Sequence, residues 1–364
     1  MAQREGIMRV LFRVSVLLFT ITNVRTNGSW AQSATAVGAG GTILRTDDGG
    51  DTWAPQDSGT QNALSGVSLV DDCTGTVVGA AGTILRTDDC GNTWNAQDSG
   101  TSVNLSGVFT VDANTAFAVG AQRTILRTDD GGAGWAPQSV PDPAPICDPG
   151  TVTFAGVSFG DANTGIAVGT CVYHPRPMQA FNLQVSFRTS DGGATWLFNI
   201  NTTVAGFLRA VSFESVDTAI VVGDFVTGIT PTFGARVLKT TDGGAGWVWQ
   251  NLFARPFYPV YLYGVSYVDP FTATAVGRIY LGTRWEGLII RTINGGANWV
   301  SQPSNTSDLL SGVSFVDADH GIAVGEAGTI LRTSDGGATW TSPSIGTKAG
   351  LYAVSFVPSP CASN

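Results

Sequence analysis

Short bursts of apolar and β-branched residues, each closed within a few positions by Gly, Asp, Asn or Ser, follow one another from Ala34 to Val357. That texture predicts short strands joined by tight turns. No long run of helix-forming Ala, Glu, Lys and Leu competes with it. The clearest stretch, LSGVSLVDDCTGTVVGAAGTILRTDDCGNTWNAQDS from Leu64 to Ser99, divides into four strands. They are Gly66–Val70 (A), Thr76–Val78 with its Gly (B), Thr83–Arg86 (C) and Thr93–Gln97 (D). Similar units start near Leu105, Phe154, Leu208, Leu262 and Leu310. Seven copies of a Ser/Thr-x-Asp-x-Gly-x-Thr-Trp motif mark the C–D turns. They end at Trp53, Trp94, Trp135, Trp196, Trp247, Trp299 and Trp340, in steps of 41, 41, 61, 51, 52 and 41 residues. A period of this size built from short strands is the signature of a β-propeller or similar array.

The two ends of the repeat region are incomplete in complementary ways. Ala34–Val37 is a B strand with no A strand before it, and Leu351–Val357 (LYAVSFV) is an A strand with nothing after it. Joined, they complete a seventh blade. The expected fold is therefore all-β: a seven-bladed β-propeller of four-stranded antiparallel blades, closed by the C-terminal strand pairing with the N-terminal blade. The domain division is a signal peptide over 1–31 and a single propeller domain over 32–364.

Each motif has a mechanical reading. The carboxylate of Asp48 can accept from backbone N–H groups in its turn, the glycines allow positive φ, and Trp53 can wedge beside the next blade. The same structural role is expected of Asp89, Asp130, Asp191, Asp242, Asn294 and Asp335, and of Trp94, Trp135, Trp196, Trp247, Trp299 and Trp340.

Charge narrows the choice of partner. A net charge of -9, with 28 acidic against 19 basic residues, argues against nucleic acid, which needs a clustered basic surface. Arg4 and Arg9 precede an apolar stretch, Val10–Ile21, and small residues follow at Ser29 and Ala31. This resembles a secretory signal with a mature start near Gln32, and the apolar run is too short for a membrane span. Five cysteines in an exported chain invite pairing. Cys73 and Cys90 fall in loops at one end of a blade, Cys147 and Cys171 in loops at the other end, and Cys361 is left over. Four Asn-x-Ser/Thr sequences occur, at Asn27, Asn104, Asn201 and Asn305. They matter only in a glycosylating pathway.

The motif resembles the Asp box of BNR-repeat propellers. The fuller phrase A-V-G-x-x-G-T-I-L-R-T-x-D-G-G-x-T-W is similar to the photosystem II assembly and stability factor family. The resemblance covers essentially the whole chain after residue 31. It implies an exported, seven-bladed, non-catalytic protein, in photosynthetic members one that binds an unassembled reaction-centre subunit. Asp boxes also occur in sialidases, other glycoside hydrolases and sorting receptors, so the motif specifies architecture more than activity.

Insertions point to one end of the ring. Long B–C segments at 171–184, 224–235 and 278–287, and D–A segments at 140–150 and 253–261, read as loops on a single face of the fourth to sixth blades. They carry the candidate binding residues Tyr173, His174, Arg176, Arg255, Tyr258, Arg278, Tyr280, Arg284, Trp285 and Glu286, of the types used by protein hot spots and sugar platforms. A basic residue also precedes each box (Arg45, Arg86, Arg127, Arg188, Lys239, Arg291 and Arg332), and is expected to pair with box or neighbouring acids.

Catalytic chemistry has little material. There are two histidines, His174 and His320, and no HExxH, CxxC or phosphate-loop pattern. No catalytic residue, metal or cofactor is expected. Two readings remain: a monomeric propeller that binds a protein client, and a carbohydrate-active propeller, sialidase-like, another glycoside hydrolase or a lectin, using Asp224, Glu286 and Glu326.

Overall fold

Each repeat builds one small antiparallel sheet whose strands follow chain order. This is a computed structural model, which describes residues 32–176, 179–199, 205–227 and 232–358. The expected signal segment 1–31, the sequences at Asn27 and Asn201, and Cys361 lie outside the described residues. In the second unit the strands are Leu64–Leu69, Gly75–Gly79, Ile84–Thr87 and Asn95–Gln97, hydrogen-bonded in the order A-B-C-D. The B strand is buried at every position, which is why it reads as a continuous apolar run rather than an alternating one. The D strand is short and exposed.

The first unit is assembled from both ends of the chain. Leu351–Pro358 lies beside Gln32–Gly38, followed by Ile43–Thr46 and Ala54–Gln56. The pairing is antiparallel, with Ala34 opposite Phe356 and Val37 opposite Ala353. Units four and five run together as one eight-stranded sheet, joined through the single pair Leu183–Ala205. Unit seven has three strands, its D strand reduced to the bridge between Arg332 and Thr341; Pro343, just beyond, has no N–H to continue a ladder.

The three B–C insertions are strands, not the loops expected from composition. The B and C strands lengthen into two-stranded ribbons: Gly165–Arg176 with Gln179–Thr189, Ala219–Thr227 with Thr232–Thr240, and Thr272–Tyr280 with Trp285–Thr292. The stretch at 253–261 is likewise strand as far as Pro256 and again from Val260. Alternating β-branched and aromatic residues extend the ladder, so composition that looked loop-like extends pairing instead.

A β-bulge near the start of the A strand recurs, between Leu64 and Gly66, Leu208 and Ala210, and Leu262 and Gly264 among others. The carbonyl just before it faces the glycine of the Val-Gly pair in the B strand. A Cβ on Gly79 would stand 2.3 Å from the Ala63 carbonyl oxygen, and one on Gly277 1.9 Å from that of Tyr261. The repeated A-V-G thus records a close backbone approach that only glycine permits.

The core consists of the interfaces between consecutive units. Trp94 packs with Val37 and Ile43 of unit one, Trp135 with Val78 and Ile84 of unit two, and Trp340 with Val276 and Ile289 of unit six. Each box tryptophan therefore wedges back against the preceding unit, not the following one. Trp53 does so against Ile322 and Val324 of unit seven. The seven A strands approach one another around a cavity of about 180 Å³. There a serine hydroxyl repeatedly accepts the next strand's backbone N–H: Thr110 N to Ser68 Oγ at 3.0 Å, Tyr267 N to Ser212 Oγ at 3.1 Å, Phe356 N to Ser314 Oγ at 3.1 Å and Leu69 N to Ser355 Oγ at 3.1 Å. Unit three has Phe109 in place of this serine, and its ring lies 5.8 Å from that of Phe159.

The unit interfaces are of two kinds, set by one B-strand residue. Where it is Thr35, Thr76 or Thr274, the D-strand glutamine of that unit turns inward and accepts the next box indole N–H: Trp94 to Gln56 at 3.0 Å, Trp135 to Gln97 at 3.0 Å, Trp340 to Gln302 at 3.3 Å. Where it is Phe117, Ile166, Ile220 or Ile322, an apolar side chain occupies that space, and the indole nitrogens of Trp196, Trp247, Trp299 and Trp53 are buried without a partner among the described residues. Two disulfides tie loops together, Cys73 to Cys90 and Cys147 to Cys171.

Candidate binding site

The Asp boxes are turn supports. Asp48 accepts from Thr52 N at 2.9 Å, Thr52 Oγ1 at 2.6 Å and Thr46 Oγ1 at 2.7 Å, while Thr46 Oγ1 accepts from Gly50 N at 2.9 Å. Asp89, Asp191 and Asp335 repeat this pattern. Asp130 and Asp242 take a glycine N–H in the same place, and Asn294 the N–H of Asn298. The Oδ1 of each box Asp or Asn is occupied inside its own turn, which gives the motif a structural role.

The basic residues before the boxes link neighbouring units. Arg127 donates to the Gly192 carbonyl at 2.7 Å, Lys239 to Gly295 at 2.6 Å and Arg332 to Gly49 at 2.6 Å. Arg86 and Arg291 reach the carbonyls of Ala113 and Ala318. Among the described residues, carboxylate pairs of these bases are Arg45 with Asp47, Arg127 with Asp129 and Arg332 with Asp51. Backbone carbonyls of the next unit are thus as common a target as the acids expected from sequence.

Tyr258, Arg278, Tyr280, Arg284, Trp285 and Glu286 come together on the ribbon of unit six. The Arg278 guanidinium sits 4.4 Å from the Trp285 ring centre and 5.8 Å from that of Tyr261. Tyr261 and Trp285 lie nearly parallel with centroids 6.1 Å apart, Tyr280 is 5.1 Å from Trp285, and Tyr258 is 6.3 Å from Tyr280. Arg284 binds Glu286 through Nε at 2.7 Å. Half-buried Arg278 makes no ion pair among the described residues, and its Nε is buried without a partner.

Two further side chains continue this shelf toward the central cavity. Arg209 and Tyr263 occupy the bulged A-strand position, where the other units carry Ser65, Ser106, Ala155, Ser311 and Tyr352. A bulge re-aims its side chain, and here the guanidinium of Arg209 lies 4.4 Å from the Tyr263 ring centre and 4.8 Å from that of Phe207. Sequence reasoning missed both residues. The signal was the exchange of a small residue for Arg and Tyr at one position of the repeat. Arg209 also pairs with buried Asp224 at 2.8 Å. Burial pushes the Asp224 carboxyl up, and the Arg209 charge and hydrogen bond oppose it.

Tyr173 and His174 belong elsewhere. Tyr173 packs on the core between units three and four, and His174 pairs with Asp148 beside the Cys147–Cys171 disulfide. Arg176 pairs through its backbone with Gln179, and Arg255 with Phe233. Of the candidate acids, Asp224 and Glu286 are each held by an arginine, and Glu326 lies exposed in the turn Glu326–Gly328. Among the described residues no helix is long and apolar enough to cross a membrane.

Comparison with known proteins supports the propeller fold. The family profile of the photosynthesis system II assembly factor YCF48 matches residues 292–357. No curated protein matches the sequence. Among solved structures, YCF48 bound to D1 peptide superposes with a TM-score of 0.59 at 17% identity, covering 83% of this chain and 88% of that one. YCF48 from Cyanidioschyzon merolae gives 0.51 at 19% identity, covering 79% and 87%. The GH74 xyloglucanase from Xanthomonas campestris gives 0.59 at 13% identity, covering 89% of this chain and 52% of the enzyme.

Proposed function

We propose, starting from an Asp-box β-propeller that resembles the photosystem II assembly factor, that this chain is an exported, seven-bladed, closed wheel that binds a protein client as a monomer. The observation that carries client binding is the shelf around Arg278: a half-buried cation with no carboxylate of its own, stacked against Trp285 and flanked by Tyr261, Tyr280 and Tyr258. Trp, Tyr and Arg in a partly desolvated cluster are the residues from which binding hot spots are made. The Arg284–Glu286 pair borders the shelf, while Tyr173, His174, Arg176 and Arg255 lie outside it, on strands of units four and five.

Ring closure is supported by contacts that span the whole chain, namely Ala34 with Phe356, Leu69 N with Ser355 Oγ, and Arg332 with Gly49 and Asp51. Export is supported by the two disulfides and by the signal-like residues 1–31. It places the protein in a periplasm, a lumen or the extracellular space.

The test is calorimetric titration with a D1 peptide, the ligand of the superposed YCF48. Wild-type binding is expected, and Arg278→Ala with Trp285→Ala should weaken it by at least about 2 kcal/mol, roughly thirtyfold. Equal binding by the double variant contradicts the site. A second reading, glycoside hydrolysis, is favoured by one feature: Asp224 is a buried carboxyl biased toward its protonated form, as a general acid requires. Xyloglucan hydrolysis that disappears in Asp224→Asn supports it, and no turnover removes it.

A further inference from the structure

The interface between units five and six is the loosest of the seven. At the second box glycine of the other units, a Cβ would collide with the preceding unit: 2.1 Å from Gln97 at Gly132, 2.6 Å from Phe117 at Gly193, 2.6 Å from Ile166 at Gly244 and 3.2 Å from Ile322 at Gly50. At Gly296 the nearest atoms are Lys239 Cδ at 3.9 Å, with Ile220 Cδ1 and Trp299 Nε1 each at 4.0 Å. Ile220 stands farther from its glycine than Ile166 or Ile322 does from theirs, yet its presence keeps Gln250 from reaching the indole. Gln250 bonds the Ala297 carbonyl at 3.4 Å instead, and Trp299 Nε1 stays buried without a partner among the described residues. The result is a cleft of about 460 Å³ with Ile220, Val237 and Trp247 on one wall and Gly295–Ala297 on the other.

The surface around this cleft departs from the repeat in the same place. Ile293 stands where the other boxes have Asp47, Asp88, Asp129, Ser190, Thr241 and Ser334, and it is 74% exposed. Phe271, whose carbonyl accepts from Gly295 N at 2.8 Å, is 64% exposed, and Val248 at the cleft edge is 72% exposed. Three large apolar side chains held in solvent beside an underfilled cleft mark an interaction site. Acids outnumber bases nearby: Asp242 lines the cleft with Arg188 close to it, and Asp217 and Asp269 lie in the adjoining A–B turns, the latter within reach of buried Arg291. The nearest base, Lys239, is bonded to the Gly295 carbonyl.

We infer that this cleft, at the Asp-box end and opposite the arginine–aromatic shelf, binds a second protein through a segment that inserts a large apolar side chain flanked by lysine or arginine. The apolar side chain fills the space between Ile220 and Gly296, beside the Trp299 indole, and the flanking cations meet Asp217, Asp242 and Asp269. The argument does not rest on the identity of the client at the other end. A propeller with a docking site at each end of its axis can hold two chains at once.

The probe is a decapeptide of alternating Leu and Lys, titrated into nitrogen-15-labelled protein while the tryptophan indole signals are followed. The Trp299 signal is expected to move, and those of Trp94, Trp135 and Trp340, already bonded to glutamine, to stay. Ile293→Asp with Phe271→Asp should weaken binding at least tenfold without lowering the melting temperature, because both side chains are largely exposed. Ile220→Phe, which copies unit three and fills the cleft, should abolish binding in a protein at least as stable as wild type. Equal affinity for a Leu–Glu decapeptide overturns the proposal, as does unchanged binding in both variants. A shift centred on Trp285 would move the site to the other face, and self-association of wild type through the cleft would make the occupant a second copy of this chain; either outcome also overturns it.

Discussion

Gln97 and Gln138 stand three residues after successive box tryptophans, yet only the first serves the next indole. Thr76, in the unit of Gln97, leaves room for the amide beside Trp135, whereas Phe117, in the unit of Gln138, fills that room with a ring. Gln97→Ala is therefore expected to strand a buried N–H and cost about 1–3 kcal/mol, with Gln138→Ala close to neutral, as read by chemical denaturation. The box carboxylates make a second residue-scale prediction. Asp89 is held below the usual range by the N–H and hydroxyl of Thr93, and Asp335 by the hydroxyl and N–H of Thr339. A carboxyl lowered on folding stabilises fully above its ordinary value, near pH 4, and that contribution is lost as pH falls through the lowered value. The melting temperature should accordingly fall as pH drops below about 4; a flat profile contradicts the hydrogen-bonded box. The box acids were legible in sequence because each holds its turn through residues of its own motif. The Thr–Gln rule was not, because its members come from different strands and act on the next unit.

At the scale of the element, the strands and their order could be read from the chain, but the ends of the ribbons could not. Pro, Gly and Arg in 171–184 and 278–287 signal a loop by composition, while the alternation of Phe181 and Leu183 opposite Tyr173 and Cys171, or the cross-strand pair Tyr280 and Trp285, supports pairing. Arg209 and Tyr263 escaped notice for a related reason. A bulge turns one residue of the A strand toward the cavity, and that residue has no periodicity of its own to reveal it. The same bulge makes the Val-Gly glycine testable. Gly277→Ala drives a Cβ to 1.9 Å from the Tyr261 carbonyl oxygen, whereas Gly346→Ala meets nothing within 4 Å. The first should destabilise by more than about 3 kcal/mol and disturb the Tyr261–Trp285 stack, and the second should change stability by less than about 0.5 kcal/mol. Similar melting of the two variants contradicts the close approach.

For the whole molecule, the repeat count and the complementary ends of the chain implied a wheel, and the distribution of exposed apolar residues shows how unevenly it is decorated. Units two and three carry few, while Leu197, Val248, Trp249, Phe257, Phe271, Ile293 and Val300 all fall in units four to six. In the proposed closed wheel, variation among the unit interfaces shapes the two proposed sites, the shelf at one end and the cleft at the other. All of this depends on the C-terminal strand holding the N-terminal strand in place. The most direct measurement is native-state hydrogen exchange of the amides in Gln32–Gly38, compared with those in Gly75–Gly79, the B strand of a unit formed from continuous chain. Closure by the C-terminal strand predicts that both segments exchange slowly and through the same global opening. Exchange of Gln32–Gly38 at the rate of an unpaired edge, with Gly75–Gly79 still protected, would contradict it.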